Sequence, residues 1–276
     1  MGKLILTMTQ VKITGSKALW TRTTSTFGVF SEVLNMTPRK KELHMTTVDG
    51  SHVAVLEMNV PNDAFCYYEV QGDERLALEI APIMRGVKSL KKPDDTATME
   101  YDSDGKTTSE GNPIISWKSR FQDATTCPLD ASAVNDPRIP LLDWEDKPEC
   151  TVPTDWLLDA LLTGKEYGEI ATFAVSRLGE DKELWFSVSV YNERGTGTTV
   201  KYPLGTEEGH TDEGDYHLGF LIPFIRKVKA SKCKETTMQF ERRYPILLTN
   251  EWDDGTSSKM FLAPRVLNED KRPNGP

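Results

Sequence analysis

Two short segments of the sequence recur at nearly the same separation, and this repeat limits the possible folds more than any other feature. Residues 82–89 read Pro-Ile-Met-Arg-Gly-Val-Lys-Ser, and residues 223–230, 141 positions later, read Pro-Phe-Ile-Arg-Lys-Val-Lys-Ala. A second pair follows, Thr-Met-Glu-Tyr-Asp at 98–102 and Thr-Met-Gln-Phe-Glu at 237–241, offset by 139. Linked matches with so little drift in their offset indicate a duplicated unit. The 276-residue chain is therefore expected to contain two similar domains.

The repeated segment predicts an amphipathic helix. Proline suits the first turn of a helix, where its missing N–H would have had no partner. At about 100° per residue, apolar and basic side chains then fall on opposite faces. In the first copy, Ile83, Val87 and Leu90 oppose Arg85, Lys88 and Lys92, and in the second Phe224, Ile225 and Val228 oppose Arg226 and Lys229. One such helix could simply have a solvated face, but two in equivalent places favour a shared role.

Composition limits the partners and the compartment. The formal net charge is −9, so the molecule as a whole should repel nucleic acid, and any DNA contact would have to be local. The four cysteines, at positions 66, 127, 150 and 233, form no Cys-x-x-Cys pair and are expected to be free thiols in a reducing compartment. No apolar run approaches the ~20 residues of a membrane span, and the N-terminus lacks a signal-peptide core. We expect an intracellular protein without a membrane segment.

The order of the elements predicts an α+β fold. The first half contains a strand at 4–13, a helix capped by Ser16 with an apolar stripe running to Leu34, hairpins at 43–60 and 97–121, and a strand at 66–79. The second half contains a helix at 154–162 and strands at 170–177, 184–191, 236–241, 245–251 and 259–263, with the second basic helix among them. Each half thus has antiparallel strands and two helices, which are expected to pack on one side of the sheets.

A proline-rich, acidic stretch separates the halves. Residues 122–153 lose the regular pattern, which is typical of an extended connector. We therefore predict an N-terminal domain at 1–122, a connector at 123–148, a C-terminal domain at 149–266 and a tail at 267–276. A connector of this length suggests a binding role.

The sequence contains no pattern that favours catalysis or a cofactor. The four histidines lack metal-ligand spacing, and residues 195–197 (Gly-Thr-Gly) lack the third glycine of a dinucleotide site. Acidic residues crowd positions 207–215, but they do not have the fixed ligand positions of a calcium loop and are interpreted as a solvated loop. No nucleophile elbow or Walker motif is present. We expect no enzyme activity, no metal and no cofactor.

Three motifs in order resemble PCNA, the DNA sliding clamp of archaea and eukaryotes. Residues 48–55 (Val-Asp-Gly-Ser-His-Val-Ala-Val) are similar to its Asp-x-Ser-His-Val segment. Residues 261–266 (Phe-Leu-Ala-Pro-Arg-Val) resemble its near-terminal Tyr-Leu-Ala-Pro-Lys/Arg-Ile segment, and residues 138–140 its Gly-Ile-Pro connector segment. The resemblance spans about residues 8–266. It implies two similar clamp domains per chain and a pseudo-sixfold ring, a homotrimer whose helices line a hole around duplex DNA. The clamp would tether DNA polymerase, clamp loader, nuclease and ligase through short peptides, in the cytoplasm of an archaeal or viral host or in a eukaryotic nucleus.

The resemblance and the residue pattern together predict three groups of site residues. The DNA-channel group is Lys17, Arg22, Arg85, Lys88, Lys92, Arg226 and Lys229. The partner-peptide pocket, by motif match, is Val48, His52, Val55, Ile139, Pro140, Pro245, Phe261, Ala263 and Pro264. The subunit-interface group comes from pairing strand 114–121 of one chain with strand 184–191 of the next, and is Ile115, Trp117, Phe121, Trp185, Phe186 and Val188.

Departures from the family pattern leave alternatives open. The helix at 155–162 carries two acids and no base, residues 137–138 are Pro-Arg, and the loop 205–214 has no clear counterpart. The chain could be one subunit of a heterotrimeric clamp, including a damage-checkpoint ring. It could also be a monomeric processivity factor that binds DNA and polymerase without closing.

Overall fold

The computed structural model describes residues 9–72, 74–105, 107–109, 112–130, 142–144, 147–178, 183–205 and 210–265. The described residues fall into two compact units. Unit 1 takes those within Met1–Gly50, Leu56–Arg138 and Asp253–Ser257, and unit 2 those within Ser51–Val55, Ile139–Trp252 and Ser258–Pro276. All paired strands within each unit whose register is described run antiparallel, so the α+β prediction is confirmed. None of the described helices is long and apolar enough to span a membrane.

Unit 1 contains two helices and two groups of strands. The helices are α1 (Lys17–Phe27) and α2 (Ile80–Ser89). The strands are β1 (Gln10–Ser16), β2 (Val33–Arg39), β3 (Glu42–Val48), β4 (Ala54–Pro61), β5 (Tyr67–Gln71), β6 (Leu76–Glu79), β7 (Thr96–Asp102), β8 (Ile115–Ser119) and β9 (Asp123–Thr126). One group has the order β5-β1-β7-β8-β9 and the other β4-β3-β2-β6. Trp20 of α1 reaches the core, where its ring lies 5.7 Å from Phe65 and 5.1 Å from Trp117.

Unit 2 repeats this plan. Its helices are α3 (Thr154–Lys165) and α4 (Leu218–Ala230). Its strands are β10 (Glu149–Pro153), β11 (Ile170–Leu178), β12 (Glu183–Tyr191), β13 (Gly197–Gly205), β14 (Asp212–His217), β15 (Glu235–Gln239), β16 (Ile246–Glu251) and β17 (Ser257–Leu262). One group has the order β13-β12-β11-β14 and the other β10-β15-β16-β17. Phe173, Phe186 and Phe240 form the centre of the core, with ring centroids 5.5 to 6.1 Å apart.

The first helix begins where the sequence predicts and ends earlier. The hydroxyl of Ser16 accepts a hydrogen bond from the Leu19 N–H at 3.2 Å, which is the expected N-cap. The helix stops at Phe27, however, and Leu34 lies in β2. Within the helix, the Thr24 hydroxyl donates to the Trp20 carbonyl and the Thr26 hydroxyl to the Arg22 carbonyl, so the buried threonines satisfy their own polar groups.

The two repeated prolines occupy different helical positions. Pro82 is in the first turn of α2, as predicted, but α4 begins five residues before Pro223, which therefore lies inside the helix. The ring nitrogen Nδ1 of His217 caps α4 by accepting from the Gly219 N–H at 2.9 Å. The sequence repeat thus aligns the basic faces but not the starts of the helices.

Several strands lie where the sequence pattern was weak. β9 covers residues that the prediction assigned to the connector, and β13 and β14 flank the predicted acidic loop. Glu207 and Glu208 of that loop lie outside the described residues, whereas Asp215 is buried and accepts a hydrogen bond from the Thr172 hydroxyl at 2.6 Å. The four cysteines form no disulfide.

Candidate functional site

The two repeated helices bury their apolar faces and expose cations. Ile83, Val87 and Leu90 of the first copy are buried, as are Phe224, Ile225 and Val228 of the second, which confirms the amphipathic pattern. On the opposite side, four of the predicted channel residues are exposed: Arg85, Lys88, Lys92 and Arg226. Each unit therefore carries a helix with an exposed basic face.

Two further members of the channel group have partners within the chain. The ammonium of Lys17 donates to the Leu90 carbonyl at 2.6 Å, which ties the start of α1 to the end of α2. Lys229 lies 3.2 Å from the carboxylate of Asp155 on α3. Lys227, which the periodicity argument did not select, is half-exposed in the last turn of α4. A cation there also interacts favourably with the helix dipole.

Arg22 is not a surface residue, and its assignment to the DNA channel was wrong. Only 9% of it is exposed. Its guanidinium donates to the carboxylate of Asp254 and, at 2.9 Å, to the hydroxyl of Thr256. A buried charge needs such partners because desolvation without them is costly. Arg22 therefore joins α1 to the 253–257 turn within unit 1.

An aromatic cluster in unit 2 surrounds two of the predicted pocket residues. Trp144 lies 5.4 Å from Tyr244, edge to face, and 6.3 Å from Phe261. The Tyr244 hydroxyl donates to the Asp143 carbonyl at 3.0 Å, and the ammonium of Lys147 lies 3.9 Å from the Tyr244 ring. The contact with Glu241 raises the pKa of Lys147 despite opposing desolvation. Trp144 and Tyr244 were not predicted, although both flank predicted segments.

The remaining pocket residues divide between described and undescribed parts of the chain. The Ala263 N–H donates to the Val53 carbonyl at 2.8 Å, so the 51–55 segment and the chain end meet in unit 2. Pro245 and Pro264 are half-exposed there, as is Val55. Val48 is the half-exposed last residue of β3 in unit 1. Ile139 and Pro140 lie outside the described residues.

His52 differs from its expected conformation. The sequence pattern placed it at the start of a strand, but β4 begins at Ala54, and His52 is exposed in the preceding turn. Its φ is 58°, in the left-handed region that few residues other than glycine adopt, although histidine is enriched there. The exposed imidazole therefore stands on a turn of fixed, uncommon geometry.

The predicted pairing of strands between subunits was wrong. β12 pairs with β11 on one side and β13 on the other, and β8 pairs with β7 and β9, so neither has an edge to offer. Ile115, Trp117, Phe186 and Val188 are buried core residues for the same reason. Trp185 is half-exposed, and Phe121 remains exposed. Among the described strands, the outer members next to these two are β9 and β13.

The described residues offer no evident metal site. Within these ranges, no three His, Cys, Asp or Glu side chains come together in an arrangement that could hold an ion. His44 instead pairs with Glu57 at 3.0 Å, and His217 caps a helix.

Comparison with known proteins places this geometry in a family of folds. No protein-family model matches the sequence. A DNA polymerase sliding clamp of Thermoplasma acidophilum is 21% identical over 237 residues, covering 81% of this chain and 86% of that protein. A DNA polymerase sliding clamp of Picrophilus torridus is 26% identical over 108 residues, 38% of either chain.

Solved structures agree more closely than sequences. A. fulgidus PCNA, solved with the C-terminal region of FEN-1 bound, matches 94% of this chain and 100% of its own with a TM-score of 0.77 and 18% identity. The PCNA2–PCNA3 complex of Sulfolobus tokodaii gives 0.72 over 93% of this chain and 99% of its own, at 17% identity. PCNA of Entamoeba histolytica gives 0.74 over 95% and 100%, at 12% identity. The fold is that of these proteins, and the resemblance found in the sequence is confirmed.

Proposed function

We propose that this chain, which has the fold of PCNA-type clamps, is itself a DNA sliding clamp that encircles duplex DNA and tethers replication and repair enzymes. One observation carries the proposal: each unit exposes a basic helical face, although the chain has a net charge of −9. An acidic protein that concentrates cations on two equivalent helices is suited to hold DNA at those helices and to repel it elsewhere.

The proposed DNA contact is electrostatic and independent of sequence. Arg85, Lys88, Lys92 and Arg226 are long, exposed cations, which suit phosphate oxygens rather than base edges. Phosphate contacts fix position without reading sequence, so the protein could slide along the duplex. Catalysis is not part of this function.

The aromatic cluster of unit 2 supplies the proposed partner site. Trp144, Tyr244 and Phe261, with the prolines at 245 and 264, offer apolar surface and exposed carbonyls to a short peptide. The A. fulgidus protein was solved with the C-terminal region of FEN-1 bound. By analogy, we propose that peptides of polymerase, clamp loader, nuclease or ligase bind here.

The proposed assembly is a closed homotrimer. Within the described residues β9 and β13 each pair on one side only, and exposed strand edges are usually covered. Pairing β9 of one copy with β13 of the next is head to tail and can close a ring. The Sulfolobus tokodaii structure contains two different PCNA chains, so a heterotrimer is the alternative. We place the protein inside the cell, where replication takes place.

Retention on closed DNA tests the proposed channel. We expect Arg85→Glu/Arg226→Glu protein, once loaded on DNA with blocked ends, to be lost faster than the native protein and to stimulate polymerase less. Each lost phosphate contact should also reduce the salt slope of log affinity by roughly 0.9. The matched control is Lys40→Glu/Lys259→Glu, which reverses two exposed cations outside the helices. Equal retention of all three proteins across a salt series would contradict the channel.

A further inference from the structure

An exposed aromatic side chain stands at one edge of unit 1 with a cation on either side. Phe121 comes just before the edge strand β9 and is 41% exposed, one of the few large apolar side chains that solvent reaches among the described residues. The ammonium of Lys91 lies 5.2 Å from its ring centroid and the guanidinium carbon of Arg120 lies 5.8 Å away. We call these three residues the aromatic–cation cluster.

Local hydrogen bonds hold the aromatic–cation cluster in place. The hydroxyl of Ser119 accepts from the N–H groups of Phe121 and Gln122 at 3.2 and 3.0 Å, which fixes the turn that presents the ring. The carboxylate of Asp95 accepts from the Lys91 and Lys92 N–H groups, both at 2.8 Å. A cluster fixed before binding loses little conformational entropy when it meets a partner.

The free edge of unit 2 has matching features of opposite charge. Trp156 of α3 lies 5.1 Å from Tyr202 of the edge strand β13, and both rings are half-exposed. Asp155 and Asp159 are exposed on the same helix, one on either side of Trp156 in sequence. We call Asp155, Trp156, Asp159 and Tyr202 the aromatic–acid surface.

The edge strands themselves carry a second pair of opposite charges. Asp123 is exposed on β9, whereas Lys201 is exposed on β13. Each edge therefore presents acid where the other presents base, both on the strand and beside it. Two β9 edges, or two β13 edges, would instead bring like charges together, which costs several kcal/mol in close contact.

We propose that the aromatic–cation cluster of one copy docks on the aromatic–acid surface of a second copy. Phe121 packs beside Trp156 and Tyr202, while Lys91 and Arg120 meet Asp155 and Asp159. The charge pattern makes the contact head to tail, because it rewards unlike edges and penalises like edges. This inference rests on the proposed ring, but it assigns the residues that select its polarity.

Charge exchange tests the docking. Lys91→Glu/Arg120→Glu and Asp155→Lys/Asp159→Lys should each raise the dissociation constant of the assembly roughly tenfold or more at low salt. Combining all four changes in one chain should restore association to within about threefold of native, because unlike charges meet again. Phe121→Ala should weaken association about 30-fold, as for an aromatic anchor. Analytical ultracentrifugation over a concentration series measures each constant, and Lys40→Glu/Lys259→Glu serves as the matched control.

The outcomes separate this inference from the proposed ring. If native protein assembles and neither charge-reversed variant weakens it, the docking is wrong while the ring stands. If both variants weaken assembly but the combined chain stays weak with native thermal unfolding, the two clusters do not meet. If native protein remains monomeric at every concentration, the ring itself fails. Near 1 M salt, where the Debye length is about 3 Å, the charge-reversed variants should approach native association.

Discussion

At the scale of single residues, burial decides what a cation does. Arg22 and Arg85 both lie on the polar side of a predicted helix, yet Arg22 is buried against Asp254 while Arg85 is exposed. Helical periodicity cannot separate them, because a polar face can meet a neighbouring turn as easily as solvent. A buried arginine with two oxygen partners stabilises the fold, and an exposed one is available to a ligand.

The ion pair of Arg22 predicts a stability change with pH. Burial raises the pKa of Asp254, but the hydrogen bonds from Arg22 and Thr256 outweigh it and hold the pKa below its usual 3.8. A depressed pKa means that the pair stabilises the folded state above about pH 4 and that this contribution is lost as the pH falls through the folded pKa. We expect Asp254→Asn to lower the free energy of unfolding by about 1 kcal/mol at pH 7, since the carboxylate is partly exposed. Urea unfolding of both proteins from pH 7 to pH 2 measures the difference.

The difference between the two proteins should shrink at the acid end of this series. Asp104→Asn, in an exposed turn of the same unit, is the control and should change little at any pH. A constant difference between native and Asp254→Asn protein at all pH values would show that the charge is not what stabilises the contact.

At the scale of elements, regular patterns predicted helices and strands well, whereas the connector needed tertiary contacts. Hairpin β7–β8 and strands β11 and β12 lie close to their predicted ranges. The end of the connector has no period, yet Asp143 and Trp144 are held by Tyr244 of the turn before β16. Its position comes from an aromatic contact between distant parts of the sequence, which no local pattern encodes.

This contact predicts an energetic role for Trp144 in peptide binding. If the aromatic cluster forms the partner site, Trp144→Ala should weaken a clamp-binding peptide by about 2 kcal/mol, as expected for a central aromatic anchor. Titration calorimetry with the native protein and the variant measures the loss. The tryptophan fluorescence of native protein should also change when the peptide binds, because the surroundings of Trp144 change.

Leu178→Ala is the matched control for this experiment. Leu178 is another exposed apolar side chain of unit 2, at the end of β11, and its loss should leave peptide affinity unchanged. Equal peptide affinity of native and Trp144→Ala protein would remove Trp144 from the site.

At the scale of the whole molecule, the edge strands determine how the chain can assemble. The sequence argument chose β8 and β12, whose alternating apolar residues looked like interface strands. Those residues fill the core instead, and the polar outer strands β9 and β13 remain at the edges. Polar edge strands resist aggregation while staying able to pair with a specific partner.

The mass of the purified protein tests the assembly. We expect light scattering at micromolar concentration to give about three times the chain mass, because two unlike edges can close a ring of three. Dilution should return the chain to monomer if edge pairing alone holds the ring. A monomer at high concentration that assembles only with a different clamp chain would favour a heterotrimer over the homotrimer.

The sequence by itself determined the duplication, the α+β class, the amphipathic helices with their exposed cations, and the resemblance to PCNA. These features are periodic or local, so each is encoded within one segment of chain. Only the tertiary structure decided that Arg22 is buried, that Trp144 joins Tyr244 and Phe261, and that β9 and β13 are the outer strands. Strand order and aromatic contacts depend on residues far apart in sequence. Alternation shows that one face of a strand is buried, but the pairing of its edges is decided by backbone hydrogen bonds that side-chain patterns do not report.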